Sequence, residues 1–186
     1  MFDLKALRRI PGRSAFSTMQ TPVGELTLLG ADAGLQAVLW GPQRRLCTGG
    51  FEVLTEAPDH PVLQAATDQI GAFFSGDRRV FDLPLDLHGT LFQKQVWALL
   101  LHIPYGETRF YGDLANQLGD AGKTRAVGMA SASNPASIVV PCHRLIGKSG
   151  ALTGYAGGTD VKAALLRMER EHCPMTSRKT AQLDLF

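Results

Sequence analysis

Val139-Val140-Pro141-Cys142-His143-Arg144 is the stretch from which the rest of the chain is read. Its β-branched apolar start predicts a buried strand. Proline fixes φ and has no N–H to give a ladder, so Pro141 ends the strand and sets the direction of the next residues. A thiol then stands at a strand end, beside an imidazole and a guanidinium, and both neighbours favour the reactive thiolate. A buried, inert cysteine is the competing reading of the same residue.

The 186 residues suffice for one large domain or two small ones. Apolar and charged fractions are those of a soluble globular protein, and the apolar runs fall far short of a membrane span. Met1 to Arg9 carries basic residues without an apolar core or a small-residue cleavage site, which argues against secretion. Cys47, Cys142 and Cys173 are odd in number and far apart, which suits a reduced, cytoplasmic protein without disulfides. No CxxC or paired-His spacing exists, so no metal is expected. Net charge is only +2, but its distribution is uneven. Up to Asp86 there are 8 basic and 10 acidic residues; from Leu87 onward there are 11 and 7. The basic half holds Cys142, which is consistent with phosphate contact.

Working outward, Gly24–Gly30 and Leu35–Trp40 predict a hairpin around Ala31-Asp32-Ala33-Gly34, after an earlier strand from about residue 13. Residues 41–58 read as loop. Pro61 opens a helix carried by Val62, Ala66, Ile70 and Phe73, which Gly76 ends. An acidic stretch with Pro84 and Gly89 marks a domain boundary, giving 1–86, 87–174 and a polar tail 175–186. Thr90-Leu91-Phe92-Gln93 is a capping box, and Val96, Trp97, Leu100 and Leu101 continue the helix. Two short helices, about Tyr111–Leu118 and Thr124–Ala132, flank a glycine-containing turn. They fit a helix-turn-helix or a plain αα-hairpin. A last helix, about Asp160–Glu171, has Val161, Ala164, Leu165 and Met168 on its apolar stripe, with Glu169 off the centre.

In this order and spacing the pieces resemble O6-alkylguanine-DNA alkyltransferases, the methylated-DNA–protein-cysteine methyltransferases. The resemblance lies in Phe92-Gln93-Lys94-Gln95-Val96-Trp97, Ile103-Pro104-Tyr105-Gly106-Glu107-Thr108, Tyr111-Gly112-Asp113-Leu114-Ala115 and Arg125-Ala126-Val127-Gly128. It continues through Asn134-Pro135, Pro141-Cys142-His143-Arg144 and Gly154-Tyr155-Ala156-Gly157-Gly158. It covers residues 87–171, with a weaker echo in Thr21-Pro22-Val23-Gly24. The fold class it implies is α/β (α+β). A small N-terminal domain with an antiparallel sheet and a helix precedes a mostly helical domain with a winged helix-turn-helix-like motif.

The chemistry the resemblance implies is transfer of an alkyl group from guanine O6, and from thymine O4, in double-stranded DNA to the sulfur of Cys142. Soft thiolate suits attack on an sp³ carbon. The resemblance makes His143 a base acting through water, Glu169 its orienter and Asn134 the holder of the active-site loop. Since O6 of a stacked guanine lies on the major-groove edge of its pair and cannot meet a buried sulfur, the resemblance implies that the nucleotide is flipped out through the minor groove, at a cost of a few kcal/mol. Arg125 is implied as the residue filling the vacated place, with Lys123, Thr124 and Ala126 around it. Tyr111 would crowd the phosphate and donate to the purine N3. Pro141, Leu145, Tyr155, Ala156 and Gly157 would line the base pocket. The thioether product cannot be hydrolysed, so each molecule, a monomer, reacts once and needs no cofactor. Departures from the pattern fall at Phe110, Ser131, Ser133 and Ala156.

Gln182-Leu183-Asp184-Leu185-Phe186 resembles the pentapeptide that binds the bacterial polymerase sliding clamp; folding back onto the domain is the other reading. Two rival functions remain. A lesion-binding alkyltransferase-like protein would lack the cysteine. A Cys-His hydrolase would need a dyad, which adjacent side chains diverging from a strand do not make.

Overall fold

The computed structural model describes residues 14–41 and 54–173. Strands β1 (Ser14–Thr21), β2 (Gly24–Ala31) and β3 (Gly34–Trp40) form an antiparallel meander. A short strand β4 (Leu54–Glu56), in the stretch read as loop, adds to β1 in parallel, giving the order β3-β2-β1-β4. Gly34 takes φ +145, and a side chain there would meet the Pro84 carbonyl at 2.5 Å. Helix α1 (Pro61–Phe74) lays Leu63, Ala66, Ile70 and Phe73 on the sheet.

Helix α2 (Leu91–Leu101) begins with the capping box its sequence announces: Thr90 Oγ accepts from Gln93 N, and Gln93 Oε1 from Thr90 N. Strand β5 (Arg109–Phe110) leads into α3 (Tyr111–Gln117), and Asp113 caps that helix by accepting from the Phe110 amide. After a 3-10 turn at Ala121–Lys123 comes α4 (Thr124–Ala132), packed on α2 and α3. Trp97 Nε1 donates to the Ala130 carbonyl at 2.9 Å and fixes the α2–α4 crossing. Strand β6 (Leu145–Ile146) pairs with β5 in parallel, and α5 (Thr159–Glu171) closes the fold.

The free edge of β3 joins the two halves. It takes the Pro84–Asp86 segment at Leu35, and the loop after α4 at Val38 through Val38 N to Pro135 O and Ser137 N to Val38 O. A sheet edge leaves unpaired amides and carbonyls. Here those groups hold the loop that leads to Cys142.

Two sequence expectations need correction. Val139 and Val140 are buried, yet they lie in turns and not in a strand. Ile138 takes the left-handed φ of +72, and Val140 N reaches back to Ala136 O, so the chain coils instead of extending. The buried stripe of α5 is Lys162, Leu165, Leu166 and Glu169, with Val161, Ala164 and Met168 only partly covered. The expected stripe was one residue out of phase, because two charged residues belong to the inner face.

Candidate active site

Cys142 opens a 3-10 turn, Cys142–Arg144, whose three side chains are all buried. Turning instead of extending, the backbone brings neighbouring side chains onto one core. Cys142 keeps 7% exposure. Asn134 Nδ2 donates to its sulfur at 3.1 Å and to the Val140 carbonyl at 2.8 Å, while Asn134 Oδ1 accepts from Ala136 N. One buried amide thus ties the α4 exit, the loop and the thiol together.

Glu169 is fully buried and is the hub of the site. Its Oε1 accepts from His143 Nε2 at 2.7 Å and from Arg144 Nη2 at 2.9 Å. Its Oε2 accepts from Arg144 Nε at 3.0 Å and from Gly106 N at 2.9 Å. Burial works against ionisation, but the hydrogen bond from His143 and the Arg144 guanidinium outweigh it and hold the carboxyl at about 2. An ionised carboxylate only accepts, so His143 Nε2 must carry the proton of that bond. Burial pushes the imidazole below its ordinary value, with Glu169 opposing. The neutral ring then leaves Nδ1 as a lone-pair acceptor, buried and without a hydrogen-bond partner among the described residues. The Arg144 guanidinium also donates from Nη1 to Ile103 O at 2.6 Å and lies 5.6 Å from the Tyr105 ring centroid.

Burial pushes the Cys142 thiol up; the Asn134 hydrogen bond and the charge of Lys162 oppose it. Lys162 is itself fully buried, donates to Thr153 O at 3.0 Å and lies 6.0 Å from the Tyr111 ring centroid. Burial lowers its ammonium below the ordinary lysine value, and Cys142 resists that. Tyr111 stays a neutral donor, raised by burial. Burial holds the Tyr155 phenol well above 10, and its ring meets those of Trp40 (5.9 Å) and His143 (6.3 Å) edge-on. Gly157 lies flat on Trp40, where a Cβ would come within 2.8 Å of the indole.

The structure therefore brings Asn134, Cys142, His143, Glu169, Tyr111 and Tyr155 to one centre. Pro141 and Leu145, which flank the turn in sequence, are buried, and Ala156 is exposed. Lys123, Thr124, Arg125 and Ala126 lie at the start of α4, and the first three are exposed. The sequence placed Arg144 beside the thiol as a cation favouring the thiolate; in the structure it pairs with Glu169 instead, and Lys162 supplies the charge near Cys142. Lys162 was missed altogether, since a charged residue in an amphipathic helix reads as solvated.

A sheet-and-helix half joined to a helical half, with a buried cysteine backed by a Glu–His pair and with the helix pair α3–α4 in the helical half, defines a two-domain protein with a buried thiol site. Two family models match: the 6-O-methylguanine DNA methyltransferase ribonuclease-like domain over residues 15–87, and its DNA binding domain over residues 91–171. The chain belongs to the 6-O-methylguanine DNA methyltransferase family. It is 45% identical over 176 residues to the methylated-DNA–protein-cysteine methyltransferase of Mycobacterium tuberculosis, covering 92% of this chain and 98% of that one. A constitutive Bacillus subtilis protein of the same name is 42% identical over 156 residues, covering 83% and 94%. Among solved structures, M. tuberculosis OGT in complex with DNA superposes with a TM-score of 0.76 at 45% identity, covering 87% of this chain and 96% of that one. The M. tuberculosis O6-methylguanine methyltransferase gives 0.77 at 42%, covering 90% and 99%. No helix among the described residues is long and apolar enough to cross a membrane.

Proposed function

We propose that the protein repairs O6-alkylguanine in DNA by one irreversible transfer of the alkyl carbon to Cys142. The observation that carries this is the buried lone pair of His143 Nδ1, held in its tautomer by ionised Glu169 on the residue next to the thiol. A water between Nδ1 and the sulfur lets His143 take the thiol proton. The sulfur attacks the alkyl carbon, the C–O bond breaks, and the proton goes on to the departing guanine. Asn134 and Lys162 stabilise the thiolate as it forms. In a site this dry their charge and dipole count for more than in water.

The sulfur is too enclosed to meet a stacked base, so the nucleotide leaves the helix first. Arg125, exposed at the start of α4, fills its place; Tyr111 donates to the purine, and Tyr155 with Ala156 covers it. The test is mass spectrometry of the protein after incubation with duplex DNA carrying O6-methylguanine. A single methyl on the Cys142 peptide, with one equivalent consumed, is the expected result. Bound but unmodified protein would favour a lesion-binding role, and turnover without adduct would favour a hydrolase. We also infer that Gln182–Phe186, outside the described residues, binds the sliding clamp. Deleting these five residues should abolish capture by immobilised clamp and leave transfer intact; undiminished capture would end the idea.

A further inference from the structure

We infer that Met129 is a specificity-determining residue of the DNA face, reading the base pair about two steps from the alkylated guanine and favouring A·T there. The inference rests on the reading of α4 as the DNA-contacting helix. Residues three and four apart are neighbours on a helix surface, so Arg125, Met129 and Ala132 form one exposed stripe. The opposite stripe of Val127, Ala130 and Ser131 is buried. Met129 is 70% exposed, although methionine ordinarily packs inside. It rims an open concavity with Phe92, Ala126 and Ala132.

Charge decides the occupant. No carboxylate lies on α4, while Arg125 and Lys123, the latter paired with Asp120 at 3.6 Å, stand at its start. A cationic end followed by small and apolar side chains suits the minor groove, the groove through which the reading of α4 has the nucleotide leave, whose rim is phosphate and whose walls are sugar. Four residues of helix rise about 6 Å. Along the duplex that is nearly two steps of about 3.4 Å. With Arg125 in the place of the flipped base, Met129 reaches the groove floor about two pairs away. An A·T pair shows only acceptors there, whereas G·C projects the guanine 2-amino group. A thioether chain laid over that amino strips its water and offers no acceptor of comparable strength, a loss of about fivefold or more in reaction rate.

The full chain is tested in single-turnover assays on duplexes with one O6-methylguanine, the pair two steps to each side being A·T or G·C. Wild type should react about fivefold faster with A·T on one side, and Met129→Gly and Met129→Gln should bring that ratio towards one. Being a ratio within each variant, it is blind to the fraction of protein that folds. A wild-type ratio of one, or an unmoved ratio in both variants, overturns the inference. So does a changed sedimentation mass in Met129→Gln, which would assign the stripe to self-association. Arg125→Ala separates the role of the helix from the role of Met129. If it slows duplex repair no more than reaction with free O6-benzylguanine, the reading of α4 itself fails; if it slows duplex repair selectively while the Met129 ratios stay put, only this inference fails.

Discussion

Cys142→Ser should fold, bind alkylated duplex and transfer nothing. The thiol sits where burial already pushes its ionisation up, and only the Asn134 amide and the Lys162 charge resist that. A serine hydroxyl starts far higher and forms a hard alkoxide, poorly matched to a saturated carbon. The same two neighbours cannot close that gap, so the rate should drop to that of DNA alone. Binding should persist, because Lys123, Thr124 and Arg125 are exposed at the start of α4 while the substituted side chain is buried. The measurement is intact mass after incubation with O6-methylguanine duplex, alongside a band shift for binding. A methyl group found on the serine variant would move the chemistry elsewhere; Cys173, a second free thiol beside Gly106, is where to look first. In the wild type, transfer should weaken in acid as His143 takes up a proton. Burial places that limb below the usual histidine range.

How much of the molecule is legible in the sequence depends on how local each signal is. Pro61, the Thr90–Gln93 box and Gly34 act through their own backbone, and the elements they announce are where they were expected. Strand β4 has three residues and a parallel partner some forty positions away, so nothing nearby marks it. Val139 and Val140 announced burial correctly but not conformation, because a β-branched run is equally at home in a packed coil. Lys162, and the pairing of Arg144 with Glu169, were invisible for a different reason. Patterning rules send charge to solvent, and only tertiary partners make an exception tolerable. Glu169 entered through resemblance alone, and its phase on α5 was misjudged for the same reason. The chemistry was therefore legible at the thiol and illegible in the buried charges behind it.

Those charges set the second large expectation: Glu169→Gln should both destabilise the fold and cripple transfer. The carboxylate accepts from His143, Arg144 and the Gly106 amide. Glutamine offers one acceptor oxygen, and its NH₂ would face donors. Arg144 would then be a buried cation without its counter-charge. Breaking one partner of such a pair costs about 3–5 kcal/mol. At roughly 2–4 °C per kcal/mol for a chain of this size, Tm should fall by about 10 °C. The pH dependence checks the same cause. A carboxyl held at about 2 when folded, and near 4.5 when unfolded, stabilises the protein above the higher value and loses that contribution as pH falls towards the lower. His143 adds in the same direction, since the unfolded imidazole binds a proton more readily than the buried one. Wild type should therefore lose stability steeply below about pH 4.5, and the variant, lacking the carboxyl, should lose much less over that interval. Adding Arg144→Met to Glu169→Gln removes the stranded cation, so the double variant should be more stable than the sum of the two single losses. Additive losses, or a Tm within about 2 °C of wild type in Glu169→Gln, would show that the ion pair does not hold the site together.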